Sequence, residues 1–139
     1  MPGWTDPGGV DLPLSFSSRV EDSFGIISFS GALTLGPVLH AQVEGVRQFI
    51  NSSKLSGVIL LLADVNRIDT SGLGQLTSIY TMASRRGCAL RLVGASADLL
   101  RVLKMTRLDI LLPTSPDIET AKAEMRGGGG KARPASPGL

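Results

Sequence analysis

The chain has one cysteine, Cys88, one histidine, His40, one tryptophan and one tyrosine among its 139 residues. A lone cysteine excludes an intramolecular disulfide and suits a reducing compartment such as the cytoplasm. His40 has no second histidine and no cysteine at ligand spacing, so no metal centre is expected and the residue reads as a helix-surface side chain. Aromatic residues make up 4% of the chain, which requires an aliphatic core and leaves no ladder of rings to stack nucleic-acid bases. No apolar run approaches the roughly 20 residues that would cross a membrane. The first residues also lack a charged segment followed by an apolar stretch, so no secretory signal is expected.

What is present fits one globular domain. Hydrophobic residues account for 42% of the chain and charged residues for 19%, with a formal net charge of +2. Residues 1–11, which include Trp4, are rich in Gly and Pro and read as a flexible arm. Residues 127–139 form a Gly/Pro-rich tail expected to be disordered, which leaves 12–126 as the domain. Arg85, Arg86, Arg91, Arg101, Lys104 and Arg107 face the single acid Asp98 within 85–107. Without interleaved aromatics, this basic stretch reads as the solvated side of helices and a strand, not as a nucleic-acid surface.

The hydrophobic pattern sets the order of elements. Leu14 to Val20 alternates apolar and polar residues and predicts an edge strand. Glu21, Asp22 and Ser23 make a turn into a second strand over Phe24 to Ser30, antiparallel to the first. Pro37 marks a helix start; Leu39, Val43, Val46 and Ile50 share one face of that helix, which stops at Asn51-Ser52-Ser53. Val58 to Leu62 is continuously apolar, as in a strand buried on both faces. A short loop from Asp64 then leads into a helix entered at Ser71-Gly72, with Leu73, Leu76, Tyr80 and Ala83 as its buried stripe. This stripe puts Met82 on the opposite side, Ile79 at the margin, and Gln75 and Ser78 on the outer side. Gly87 stops the helix. Cys88 to Val93 is the next strand, with Cys88 an inert buried residue. Ser96 caps a third helix whose Leu99, Leu100 and Leu103 face inward, Leu108 to Leu112 is a short strand, and Ser115-Pro116-Asp117 opens a last helix with Pro116 in its first turn. The order β-β-α-β-α-β-α-β-α implies an α/β fold: a mixed sheet with an N-terminal hairpin and about four flanking helices.

No enzyme is expected. Gly72 and Gly74 belong to no Walker loop, no Gly-x-Gly-x-x-Gly sits at the first strand-to-helix turn, and Ser71 has no base within its own segment. At the strand-to-helix turn formed by Asp69, Thr70, Ser71 and Gly72, the more economical reading makes Ser71 a substrate. A helix N-terminus offers unpaired N–H groups and a partial positive charge that would hold a phosphoryl group there. Such a group adds about −1.5 to −2 charges to a nearly neutral surface. The plain alternative is that Ser71 caps the helix and Asp69 orders the loop.

The stretch Ile68-Asp69-Thr70-Ser71-Gly72-Leu73-Gly74 resembles the Asp-Ser/Thr-Ser-Gly-Leu-Gly signature of the STAS domain family, which includes the anti-sigma factor antagonists and the cytoplasmic tails of sulfate transporters. Gly31-Ala32-Leu33 resembles the family's Gly-x-Leu, and Leu103 to Asp109 its Leu-x-x-x-Gly-Leu-x. The resemblance implies a cytoplasmic anti-sigma factor antagonist in a partner-switching system. It would bind an anti-sigma factor that is also a serine kinase, be switched by phosphorylation at Ser71 with Thr70 as a second acceptor, and be reset by a phosphatase. Thr34, Gln75, Ser78, Ile79 and Met82 are the expected partner-binding residues, and a homodimer is compatible with the pattern. No cofactor is implied, and neither direct nucleic-acid contact nor membrane insertion is expected. Antagonists usually carry Asp where Thr34 stands and an acid or amide where Leu61 stands, which should weaken the acidic pocket beside Ser71. The alternative is therefore a non-phosphorylated interaction module, such as a soluble transporter subunit or a stress-signalling scaffold component.

Overall fold

The computed structural model describes residues 12–126; the arm and the tail inferred from composition lie outside them. Five strands form one sheet in the order β1-β2-β3-β4-β5. β1 (Ser15–Glu21) and β2 (Phe24–Leu33) make the antiparallel hairpin, and β3 (Gly57–Ile68), β4 (Ala89–Val93) and β5 (Thr114–Ser115) extend it in parallel. Consecutive parallel neighbours joined by crossover helices place those helices on one face. Residues of α1 (Pro37–Ser52), α2 (Thr70–Arg85) and α3 (Ala97–Met105) accordingly share one core with Ile27, Val58, Leu60, Leu90 and Leu92. α4 (Ile118–Glu124) packs alone on the other face, over Phe24, Ile26, Ile59 and Val93.

The expected strand over 108–112 does not form. The chain there coils back on the end of α3, with the N–H groups of Leu108 and Asp109 both donating to the Leu103 carbonyl. Leu112 anchors the segment in the core while Ile110 is left 75% exposed, and pairing with β4 begins only at Thr114. α4 likewise starts later than its proline suggests: Asp117 is the N-cap, accepting from Thr120 N at 2.7 Å, and Pro116 lies outside the helix. Pattern reading had no signal for what holds α4 down. Lys122 is 1% exposed and its ammonium reaches Glu21, Asp22 and Glu119, which clamps the helix to the β1–β2 turn. Hydrogen bonds to Glu21 and then Asp22 push the Lys122 pKa up to about 12.

β3 differs most from expectation. Its apolar half, Gly57 to Leu61, is paired on both sides, but beyond Leu61 the strand runs on to Ile68 beside β2 alone. One extra β3 residue sits between the Ser28 and Ser30 pairs and another between those of Gly31 and Ala32. Such bulges reset the alternation, so Leu62 and Val65, three residues apart, both pack against the helix-side core. The strand thereby carries the signature segment well past the sheet centre.

Candidate functional site

The signature begins where β3 ends. Asp69, not Ser71, is the N-cap of α2. Its Oδ1 accepts from Gly72 N at 2.9 Å, and its Oδ2 accepts from Leu35 N at 3.0 Å in the loop between β2 and α1. One carboxylate therefore orders both the helix start and the neighbouring loop. Burial opposes its charge, but the N–H groups of Leu35, Gly72 and Ser71 outweigh that and hold its pKa below the ordinary 3.8. The expectation that the helix end is open to a phosphoryl group is corrected here, because the Asp69 carboxylate already occupies it.

Gly72 fixes how closely α2 approaches the sheet. A Cβ on it would overlap the Leu33 carbonyl oxygen, the same oxygen that accepts from Asp69 N at 3.3 Å. Gly74 is different, since a Cβ there meets nothing within 4 Å. A helix-interior glycine costs about 0.5–1 kcal/mol relative to alanine, so Gly74→Ala should stabilise the domain by that amount in urea unfolding. The fold itself has no use for this glycine.

Ser71 is half-buried, and its hydroxyl has no hydrogen-bond partner among the described residues; Thr70 is exposed beside it. Leu35, 76% exposed, projects from the loop that Asp69 tethers, and Thr34 is half-buried in the same loop. Leu61, by contrast, packs against the cluster under α4 on the opposite face of the sheet. Leucine at that position therefore takes nothing away from the surroundings of Ser71.

The expected partner face of α2 is rotated. Ile79 is 1% exposed and Met82 7%, so neither is available to a partner. The helix is the middle one of three on its face, and its buried arc widens to take in Gly72, Leu73, Leu76, Ile79, Met82 and Ala83. Gln75 and Ser78 are half-buried on the flank toward α1, where Arg47 Nη2 donates to Ser78 Oγ at 3.3 Å. The exposed residues of α2 are Thr70, Gly74, Thr81, Ser84 and Arg85, and the stripe reading missed Thr70, Gly74 and Thr81 as its outer face. Choosing the stripe centred on Leu76, Ile79 and Ala83 instead of Leu73 and Tyr80 would have revealed them.

On the other side of α2 lies a groove of about 340 Å³ between the end of β3 and α3. Its floor includes Leu62, Val65, Leu73, Leu99 and Val102, and Asp69 and Thr70 stand in its wall. Among the described residues no group of three His, Cys, Asp or Glu is arranged to hold a metal, and no helix is long and apolar enough to cross a membrane. The Cys88 thiol is buried and donates to the Leu55 carbonyl at 3.2 Å, and burial pushes its pKa up.

The STAS domain family matches residues 15–121, most of the chain and all of its sheet. The protein is a STAS domain. Solved structures share the fold. A putative anti-sigma factor antagonist from Thermotoga maritima superposes with a TM-score of 0.64 at 24% identity, covering 80% of this chain and 94% of its own. An anti-sigma factor antagonist from Mycobacterium paratuberculosis gives 0.69 at 18% identity, with 84% and 99% covered. The phosphorylated form of the Bacillus cell fate determinant SpoIIAA gives 0.57 at 18%, with 78% and 97% covered. This STAS domain thus resembles anti-sigma factor antagonists in fold over nearly their whole length.

Proposed function

We propose that this STAS domain is a cytoplasmic anti-sigma factor antagonist switched by phosphorylation of Ser71. The observation that carries the reading is that the Ser71 hydroxyl is unused by the fold. Asp69 does the capping, so a kinase can take the hydroxyl without dismantling the helix start. In the unphosphorylated state, the surface formed by Leu35, Thr70, Ser71 and Gly74 meets an anti-sigma factor that is also a serine kinase. The Leu35 side chain supplies apolar contact, and Gly74 lets partner backbone come close to the helix. Transfer of a phosphoryl group to Ser71 places about −1.5 to −2 charges on that contact and separates the pair; a phosphatase restores it. Thr70 is the adjacent second acceptor. The domain acts as the kinase's substrate and performs no catalysis of its own.

The test uses two substitutions and candidate anti-sigma kinases with ATP, read by intact mass and by binding titration. Ser71→Ala should stay within about 0.5 kcal/mol of wild-type stability, since no hydrogen bond is lost. It should bind constitutively and take up no phosphate at that position. Ser71→Asp should bind more weakly, though less weakly than the phosphorylated protein, because aspartate brings only one charge. If both variants bind like wild type and phosphate appears elsewhere or nowhere, the domain is a non-phosphorylated interaction module.

A further inference from the structure

The groove between the end of β3 and α3 is apolar below and polar at its rim. Beyond Leu61, β3 has β2 on one side and this groove on the other. Leu62, Leu73, Leu99 and Val102 line it with aliphatic carbon, and Asn66, Asp69 and Thr70 set polar groups in its wall. Its volume of about 340 Å³ falls at the small end of the range for ligand pockets, about 300–1,000 Å³. Such a site suits a large apolar side chain with one polar tip, and tryptophan is the largest of that kind. An indole N–H would find side-chain oxygens of Asn66, Asp69 and Thr70 to accept from it.

The chain's only tryptophan, Trp4, belongs to the segment that enters the domain beside this groove. Leu12 O accepts from Ala32 N at 3.0 Å, and a Cβ on Gly31 would overlap the Leu12 and Pro13 carbonyls, so the entry point is fixed against β2. Ala32 in turn pairs with Arg67, and Leu33 with Ile68, both of which line the groove. Leu12 thus stands two strand spacings, about 10 Å, from that wall. Trp4 precedes Leu12 by eight positions, which span roughly 26–29 Å when extended. The other end of the chain is badly placed for the groove. Arg126 lies over the Phe24 ring and beside Asp22 at the β1–β2 turn, on the face covered by α4 and at the opposite end of the sheet. Beyond it the only large apolar residue is Leu139.

We propose that the groove is an intramolecular docking site for residues 1–11, with Trp4 as the side chain that fills it. Pro7-Gly8-Gly9 supplies the turn that brings the arm round from Leu12, and Gly3 and Thr5 on either side of Trp4 are small enough to follow it in. The rest of the arm has no apolar periodicity, so this one anchor holds it. The path from Leu12 to the groove passes Leu35 and Thr70, since Asp69 ties the Leu35 loop to the start of α2. A docked arm therefore lies over part of the surface that meets the kinase, and a partner has to displace it; this consequence alone rests on the Ser71 reading.

A single tryptophan makes the test direct, because the intrinsic emission of the full chain reports Trp4 alone. In the native protein that emission should be blue-shifted from the urea-unfolded chain and quenched severalfold less by acrylamide, at every protein concentration. Val102→Asp, on the groove floor, should return both readings toward their unfolded values. Trp4→Ser leaves the groove residues unaltered; it should shift the amide NMR signals of Asn66, Thr70 and Ser96 and leave those of α4 unmoved. None of these readings involves Ser71 or a kinase, so their failure is separate from failure of the phosphorylation switch. Native emission equal to that of the unfolded chain overturns the proposal. So does a blue shift that survives Val102→Asp in a folded protein, or amide shifts centred away from the groove. A blue shift that grows with concentration overturns it in favour of an arm from a second copy.

Discussion

Gly72→Ala should unfold this domain or leave it barely stable. The added methyl group would overlap the Leu33 carbonyl oxygen, and neither side can yield easily. Leu33 ends β2 and is fully buried, and its carbonyl also receives Asp69 N. On the other side α2 is held by Leu76, Ile79 and Ala83 in the core. Relief requires lifting the first turn of α2, which also breaks the Asp69 cap. The expected loss is on the order of 3–5 kcal/mol, at the upper end of what one overpacking substitution causes. Thermal or urea unfolding measures it, and Gly74→Ala, two residues on and of opposite sign, is the internal control. A Gly72→Ala protein as stable as wild type would mean that α2 does not seat against the end of β2.

Asp69 should show the next largest effect, and two substitutions separate its two jobs. Asp69→Ala removes both the helix cap and the tether to Leu35. An N-cap is worth about 0.5–2 kcal/mol and a charge-assisted hydrogen bond about 1.5–3, so a loss of roughly 2–5 kcal/mol is expected. Asp69→Asn can still cap α2 through its amide oxygen, but its NH2 group then faces the Leu35 N–H, so roughly half of that loss should remain. The carboxylate also links stability to pH. Its pKa is lowered by folding, so its contribution is present above the ordinary 3.8 and is lost as pH falls through the folded value. Urea midpoints between pH 7 and pH 3 should therefore fall less steeply in Asp69→Asn than in wild type. An unchanged acid limb would show that the Leu35 and Gly72 bonds do not favour the charged form.

The parts of this fold written in local chemistry could be read without coordinates. Pro37 starts α1 and the Leu39–Val43–Val46–Ile50 stripe buries it; Ser96 caps α3; Gly87, at φ +75, stops α2. What escaped depends on neighbours distant in sequence. Asp64 to Arg67 looks like a loop because it is polar, yet it is strand because β2 lies beside it. Met82 looks external on an isolated helix, but α2 is flanked on both sides and its buried arc is wider than one stripe. The Lys122 clamp joins residues a hundred positions apart, and no periodicity announces it. The signature marked the turn where β3 meets α2, but assigning the cap between Asp69 and Ser71 required geometry.

That assignment of the cap decides where a phosphorylation signal would be stored. The carboxylate of Asp69 already neutralises the positive end of α2 and draws on the N–H groups of Gly72 and Ser71. A phosphoryl group on Ser71 would find that end of the helix taken and a carboxylate as its neighbour, so it would remain hydrated and turned outward. The modification would then be a message legible only to a visitor: the domain itself would keep its shape and its melting temperature, and only the partner would register the change.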